Sequence, residues 1–81
     1  MAIRRSLHSR EYAKFLRILR RVRDEAGITQ VELAKRLRNT QTYVSKCERG
    51  QRRVDIVELR QFCKALGTDV MQFLKLLDDD I

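Results

Sequence analysis

The chain has 81 residues, enough for one domain near the lower limit at which a single hydrophobic core sustains a fold. Its 43% hydrophobic and 36% charged residues, with three glycines and no proline, exclude a disordered chain. They also argue against a strand sandwich, which needs more turn residues and β-branched runs. Lysine and arginine number 18 against 11 acids, a net charge of +7, and +10 once three of those acids (Asp78, Asp79 and Asp80) are set apart. A body this basic concentrates polyanions at its surface, with nucleic acid the first partner to consider and anionic membrane the second. No apolar run approaches roughly 20 residues and no signal-peptide core follows Met1, so a cytoplasmic protein without a membrane partner is expected.

Residues 1–9 read as a basic N-terminal arm, residues 10–77 as one helical domain, and residues 78–81 as a short acidic tail. The first helix is expected from Arg10 to Glu25, capped by Ser9 and stopped at Gly27. Its inward stripe is Tyr12, Phe15, Leu16, Leu19, Val22 and Ala26, at three- and four-residue steps. Thr29-Gln30-Val31-Glu32 has capping-box form and opens a second helix with Val31, Leu33, Ala34 and Leu37 as its apolar positions. Thr40 caps a third, which runs to about Arg49 with Val44 and Cys47 inward. Asp55-Ile56-Val57-Glu58 is another capping box, before a stripe of Leu59, Phe62, Cys63 and Leu66 that ends at Gly67. The last helix opens at Asp69 and turns Val70, Phe73, Leu74 and Leu77 inward. No stretch alternates with period two for long enough to make a strand, so the fold class is all-α.

The most informative stretch is Thr29 to Gly50, two short amphipathic helices joined by a tight, proline-free turn. The second of them opens on small polar side chains and carries Ser45 and Lys46 one turn further on. A helix that buries one stripe and offers short hydrogen-bonding groups on the other suits the DNA major groove.

From about Phe15 to Leu77 the chain resembles the phage repressor and Cro class of helix-turn-helix proteins, also called Xre-like. The matching residues are Ala26-Gly27-Ile28-Thr29-Gln30, Leu33-Ala34, Val44-Ser45, Glu48-Arg49-Gly50 and Ala65-Leu66-Gly67. The resemblance implies a compact five-helix bundle of the lambda-repressor-like DNA-binding type, with helices two and three as the helix-turn-helix. It implies base contacts from Gln41, Thr42, Ser45 and Lys46, and backbone contacts from Gln30, Thr40, Tyr43, Arg49, Arg52 and Arg53. It also pairs Arg23, late in helix one, with Glu48 at the end of the recognition helix. One departure stands out: the turn carries Arg38 and Asn39 where the family has glycine and an apolar residue. Because asparagine tolerates the left-handed region better than arginine, a shift that hands the strain to Asn39 is expected.

Cys47 and Cys63 fall on inward stripes, and with His8 as the sole histidine no metal set is indicated. No nucleophile–base pair, phosphate loop or carboxylate dyad points to an enzyme, and no cofactor is called for. What the resemblance implies is a small homodimeric regulator, most simply a repressor that occupies a palindromic operator, of bacterial, phage or plasmid origin. Its setting is Cro-like, a restriction-system controller, or an antitoxin with a toxin partner. Met71, Leu76 and Ile81 are the candidates for the two-fold contact. The competing class is a protein-interaction module that keeps the fold without reading DNA.

Overall fold

A computed structural model describes residues 9–79, and these form five α-helices with no strand among them. Helix α1 spans Arg10–Glu25, α2 Gln30–Leu37, α3 Gln41–Glu48, α4 Ile56–Ala65 and α5 Val70–Asp79. Each start is fixed by a short polar side chain. The backbone N–H groups of Tyr12, Glu32, Tyr43, Glu58 and Gln72 donate to Ser9, Thr29, Thr40, Asp55 and Asp69 respectively, at 2.8–3.1 Å. The Asp55–Glu58 box closes in both directions. The Thr29–Glu32 box closes only halfway, because the Glu32 carboxylate turns forward to Arg36 at 3.2 Å.

Helix ends obey one rule. Around Gly27, Arg38, Gly50 and Gly67 the backbone makes the same pair of bonds, one spanning six residues and one spanning four. For the α2 terminus these are Asn39 N–H to Ala34 C=O at 2.9 Å and Arg38 N–H to Lys35 C=O at 3.0 Å. The residue at the centre of this motif must adopt a positive φ. Three helices place glycine there; α2 places Arg38, at φ 56°. The expected transfer of strain to Asn39 does not occur. Moving the left-handed residue by one would break the six-residue bond, and Asn39 instead uses its side chain to accept from the Thr40 N–H at 2.8 Å.

The helices close a ring of neighbours, in which α1 packs on α3 and α5, α2 on α3 and α4, and α4 on α5. The core collects Leu19, Leu33, Val44, Phe62 and Phe73, all fully buried. Several expectations about faces are corrected. Ile18, outside the expected stripe, is 1% exposed because α1 is covered from two sides, whereas Ala26 is exposed. Val31 stands 48% exposed on the outer side of α2. On α5, Leu74 is 42% exposed while Leu76, placed off the core stripe by the sequence pattern, packs against the core. Asp78 and Asp79, assigned to a tail, are the last residues of α5. Ile81 and most of the residue 1–9 arm, His8 included, lie outside the described residues. No helix among the described residues is long and apolar enough to cross a membrane.

Candidate nucleic-acid interface

The outer side of α3 carries Gln41 and Thr42 in its first turn and Ser45 and Lys46 one turn later, a spacing that puts all four on one face. Gln41, Thr42 and Lys46 are exposed and Ser45 is half-buried. On the opposite side Val44 and Cys47 fill the core, and Ala34, 3% exposed, carries no bulk that would hold α2 away from α3.

A polar chain fixes this helix from behind. Glu48 is 1% exposed, a costly position for a carboxylate unless it is paired and hydrogen-bonded. Arg23 meets it with two bonds, Nε at 2.6 Å and a terminal nitrogen at 3.0 Å, and its other terminal nitrogen donates to Ile28 C=O at 3.0 Å. The bond to Glu48 raises the Arg23 pKa above its already high ordinary value, against the opposing effect of burial. Gln30 adds a third bond to Glu48 at 2.9 Å, and its carbonyl oxygen accepts from the Gln41 amide at 3.3 Å. The direction of this relay follows from charge. A carboxylate only accepts, so Gln30 turns its NH2 toward Glu48 and its oxygen outward, and Gln41 must then turn its NH2 inward. Arg23, Glu48, Gln30 and Gln41 thus form one connected unit, in which half-buried Gln30, expected at the DNA backbone, gives one N–H to Glu48 and its carbonyl oxygen to Gln41.

The loop after α3 is equally held. Gln51 and Arg52 N–H groups both donate to Lys46 C=O, at 2.9 and 3.2 Å. Arg52 reaches Glu58 through two bonds of 3.1 and 2.8 Å, donates to Arg53 C=O, and lies 4.8 Å from the Tyr43 ring centroid. Arg52 and the Asp55 N–H together hold the Glu58 carboxyl below its ordinary value. Tyr43 sits between that guanidinium and Phe62, whose ring is 6.1 Å away, and burial pushes its phenol up to about 12. Arg52 is therefore tied at the surface to Glu58 and Tyr43, while Arg49 bonds Gln51 alone among the described residues; both arginines stay exposed. Thr40 uses its hydroxyl oxygen as the α3 cap.

Three contacts escape any sequence pattern. Arg36 donates to Ala65 C=O at 2.9 Å and so closes the end of α4. The Val54 N–H donates to the Tyr12 hydroxyl at 3.0 Å, and Arg53 lies 4.9 Å over the Tyr12 ring. These pairs are separated by 29 to 42 positions and carry no local signal.

Neither cysteine forms a disulfide: both are buried and free, and no Cα of α3 lies within 8 Å of one in α4. That spacing exceeds what a disulfide spans. Burial raises both thiols, Cys63 to about 11. No cluster of metal-ligating side chains occurs among the described residues.

A helix-turn-helix domain model matches residues 14–73. The chain belongs to the Xre-like helix-turn-helix family of DNA-binding transcription regulators. An Xre-family-like protein from Pseudomonas syringae pv. tomato has the same fold with a TM-score of 0.83, 41% identity, and coverage of 93% of this chain and 92% of that one. The restriction-modification controller protein C.Esp1396I, solved as a tetramer in complex with its natural 35 base-pair operator, gives a TM-score of 0.82 at 29% identity, covering 90% and 96%. An uncharacterised HTH-type transcriptional regulator of Sinorhizobium fredii, y4dJ, is 34% identical over 59 residues, 73% of this chain and 77% of its own. In this chain Arg38, and not a glycine, occupies the left-handed turn position.

Proposed function

We propose that the protein is a sequence-specific binder of double-stranded DNA that places α3 in the major groove and acts as a homodimeric repressor by occupying an operator. The observation that carries this reading is the polar row of α3 backed by the Arg23–Glu48–Gln30–Gln41 relay. That relay leaves Gln41 its carbonyl oxygen and one N–H, the acceptor and donor that match the major-groove edge of adenine. Thr42 offers a methyl for thymine and a hydroxyl, Ser45 a hydroxyl, and Lys46 a donor for guanine or phosphate. Thr40, Arg49 and Arg53, all exposed at the two ends of α3 and in the loop after it, supply phosphate contacts, which give affinity and salt dependence but little sequence information. Arg52 and Tyr43 support that row, and Gln30 is its inner link.

One recognition helix spans few base pairs, which favours two copies on half-sites about one helical turn apart. The operator complex of C.Esp1396I supports an assembly on DNA. On this chain Met71, 81% exposed, and Leu74 leave apolar surface uncovered on α5 and are the proposed contact. Selection of bound sequences from random duplex DNA, followed by titration with Gln41→Ala and Lys46→Ala, tests the reading. Recovery of a palindrome whose base preference relaxes in both variants is expected. Preference unchanged in both overturns the base-reading assignment.

A further inference from the structure

The loop Arg49–Asp55 is the element through which this protein, on the reading above, meets the phosphate backbone, and its two central arginines are treated alike. Each guanidinium lies over a tyrosine ring: Arg52 over Tyr43 at 4.8 Å, Arg53 over Tyr12 at 4.9 Å. The two pairs differ in what remains of the cation. Arg52 has its charge paired with Glu58 through two bonds. Arg53 makes no ion pair among the described residues, so its five N–H donors stay available while its position is set.

Tyr12 sets that position twice. Its ring carries the Arg53 side chain, and its hydroxyl accepts the N–H of Val54, the next residue of the loop. Tyr12 is itself held, by Phe15 at a ring distance of 5.2 Å, with Phe15 in turn edge-on to the fully buried Phe73 at 5.5 Å. A rigid line therefore runs from the core through α1 to one loop arginine. Tyr12 lies just before residues 14–73, the part of the chain that the helix-turn-helix model matches.

We infer that Tyr12 is a positioning residue for DNA binding, holding Arg53 ready for a phosphate. An arginine on a free loop must be ordered when it binds, and prior ordering removes that cost. A flat ring is suited to this, because it attracts the cation from one side and leaves the N–H edge facing outward. The first two turns of α1 belong, in this sense, to the DNA-binding unit although they touch no base.

The inference rests on the DNA-binding reading, and a double-mutant cycle separates the two. Affinity for a duplex selected from random DNA is measured across a salt series for the wild type, Tyr12→Leu, Arg53→Ala and the double variant. Thermal melts monitor the fold. Arg53→Ala is expected to lower the log–log salt slope by about one for each bound protomer. Tyr12→Leu is expected to weaken binding by about threefold to tenfold, the range that ordering one long side chain supplies, with the slope preserved. In the Arg53→Ala background the same change is expected to cost less than about twofold, since the residue it positions is gone. Equal losses in both backgrounds, or none in either, overturn the positioning role. Tyr12→Phe, which keeps the ring and removes the bond to Val54, provides the cycle in a form that preserves packing on Phe15. Its smaller loss must likewise depend on Arg53, and an Arg53-independent loss counts against the inference. A wild type that binds no duplex fails the DNA reading itself, which the salt series on the wild type shows before any variant is compared.

Discussion

Helices α3 and α5 are of similar length and end up on different sides of the ring, yet they are finished in opposite ways. Helix α3 buries Val44, Cys47 and Glu48, and its outer row is polar. Helix α5 fully buries Phe73 alone and leaves Met71 and Leu74 in water. The first is anchored by charge and shows short hydrogen-bonding groups outward, a surface that is stable in solution and specific in a groove. The second is anchored by one ring and shows hydrocarbon outward, a surface that gains by being covered. On the proposed function the two helices divide the labour between reading and assembly, and each proposal can be challenged separately.

The hardest test of the α3 side is Arg23→Ala. It strands a carboxylate that is 1% exposed, so a loss of about 3–5 kcal/mol in urea unfolding is expected. A loss under about 1 kcal/mol would show that Glu48 takes a proton or finds water instead, and the anchoring of α3 by charge would fall. The matching test of the α5 side is Met71→Asp with Leu74→Asp. Both side chains already face solvent, so monomer stability is expected to change by less than about 0.5 kcal/mol. Self-association measured by analytical ultracentrifugation is expected to weaken by tenfold or more, and an unchanged association constant removes α5 from the interface. Arg38→Gly probes the joint between α2 and α3. It relieves a side chain at φ 56° and is expected to raise stability by about 1 kcal/mol in the same unfolding measurement.

The smallest effect concerns the Arg52–Glu58 latch at pH values below neutrality. Glu58 has its carboxyl held below the ordinary 4.5 by Arg52 and the Asp55 N–H. A lowered native value means that the folded state binds its proton less readily than the unfolded chain. The stabilisation is therefore complete above 4.5 and fades as pH falls through the lowered value. Glu58→Gln is expected to flatten that part of the acid unfolding curve by a few tenths of a kcal/mol, as the pair is largely at the surface. Acid curves that superimpose would mean that the latch adds nothing to the fold.

Much of this architecture is legible in the sequence because its starts are local. Ser9, Thr29, Thr40, Asp55 and Asp69 each bond an amide three positions on, and all five helix starts follow from those residues. The five-helix order and the family resemblance were legible for the same reason. What was not legible depends on the direction from which a neighbour arrives. Leu74 and Leu76 flank the Phe73 stripe on either side, so periodicity admits both, and the packing of α5 against α1 and α4 selects Leu76. Ile18 was hidden in the same way, because α1 is covered by α3 and α5 together. At Arg38 propensity pointed to the neighbouring asparagine, and the backbone bond from Asn39 to Ala34 decided otherwise. On the candidate interface, the row Gln41, Thr42, Ser45 and Lys46 could be read from spacing. The bonds that Gln30 makes to Glu48 and Gln41, and the seat of Tyr43 on Phe62, could not, since those partners come from other helices.

The relay behind α3 has an evolutionary consequence. Thr42, Ser45 and Lys46 project from the helix without taking part in the bonds that hold it, so each is free to mutate while the scaffold keeps its pose. Gln41 is the exception, joined to Gln30 on one side and open on the other. If the row reads bases as proposed, a lineage built on this chain could alter its preference by single substitutions at those three positions. A change at Gln41 would also disturb its bond to Gln30, so preference at the base it meets should be the slowest to diverge.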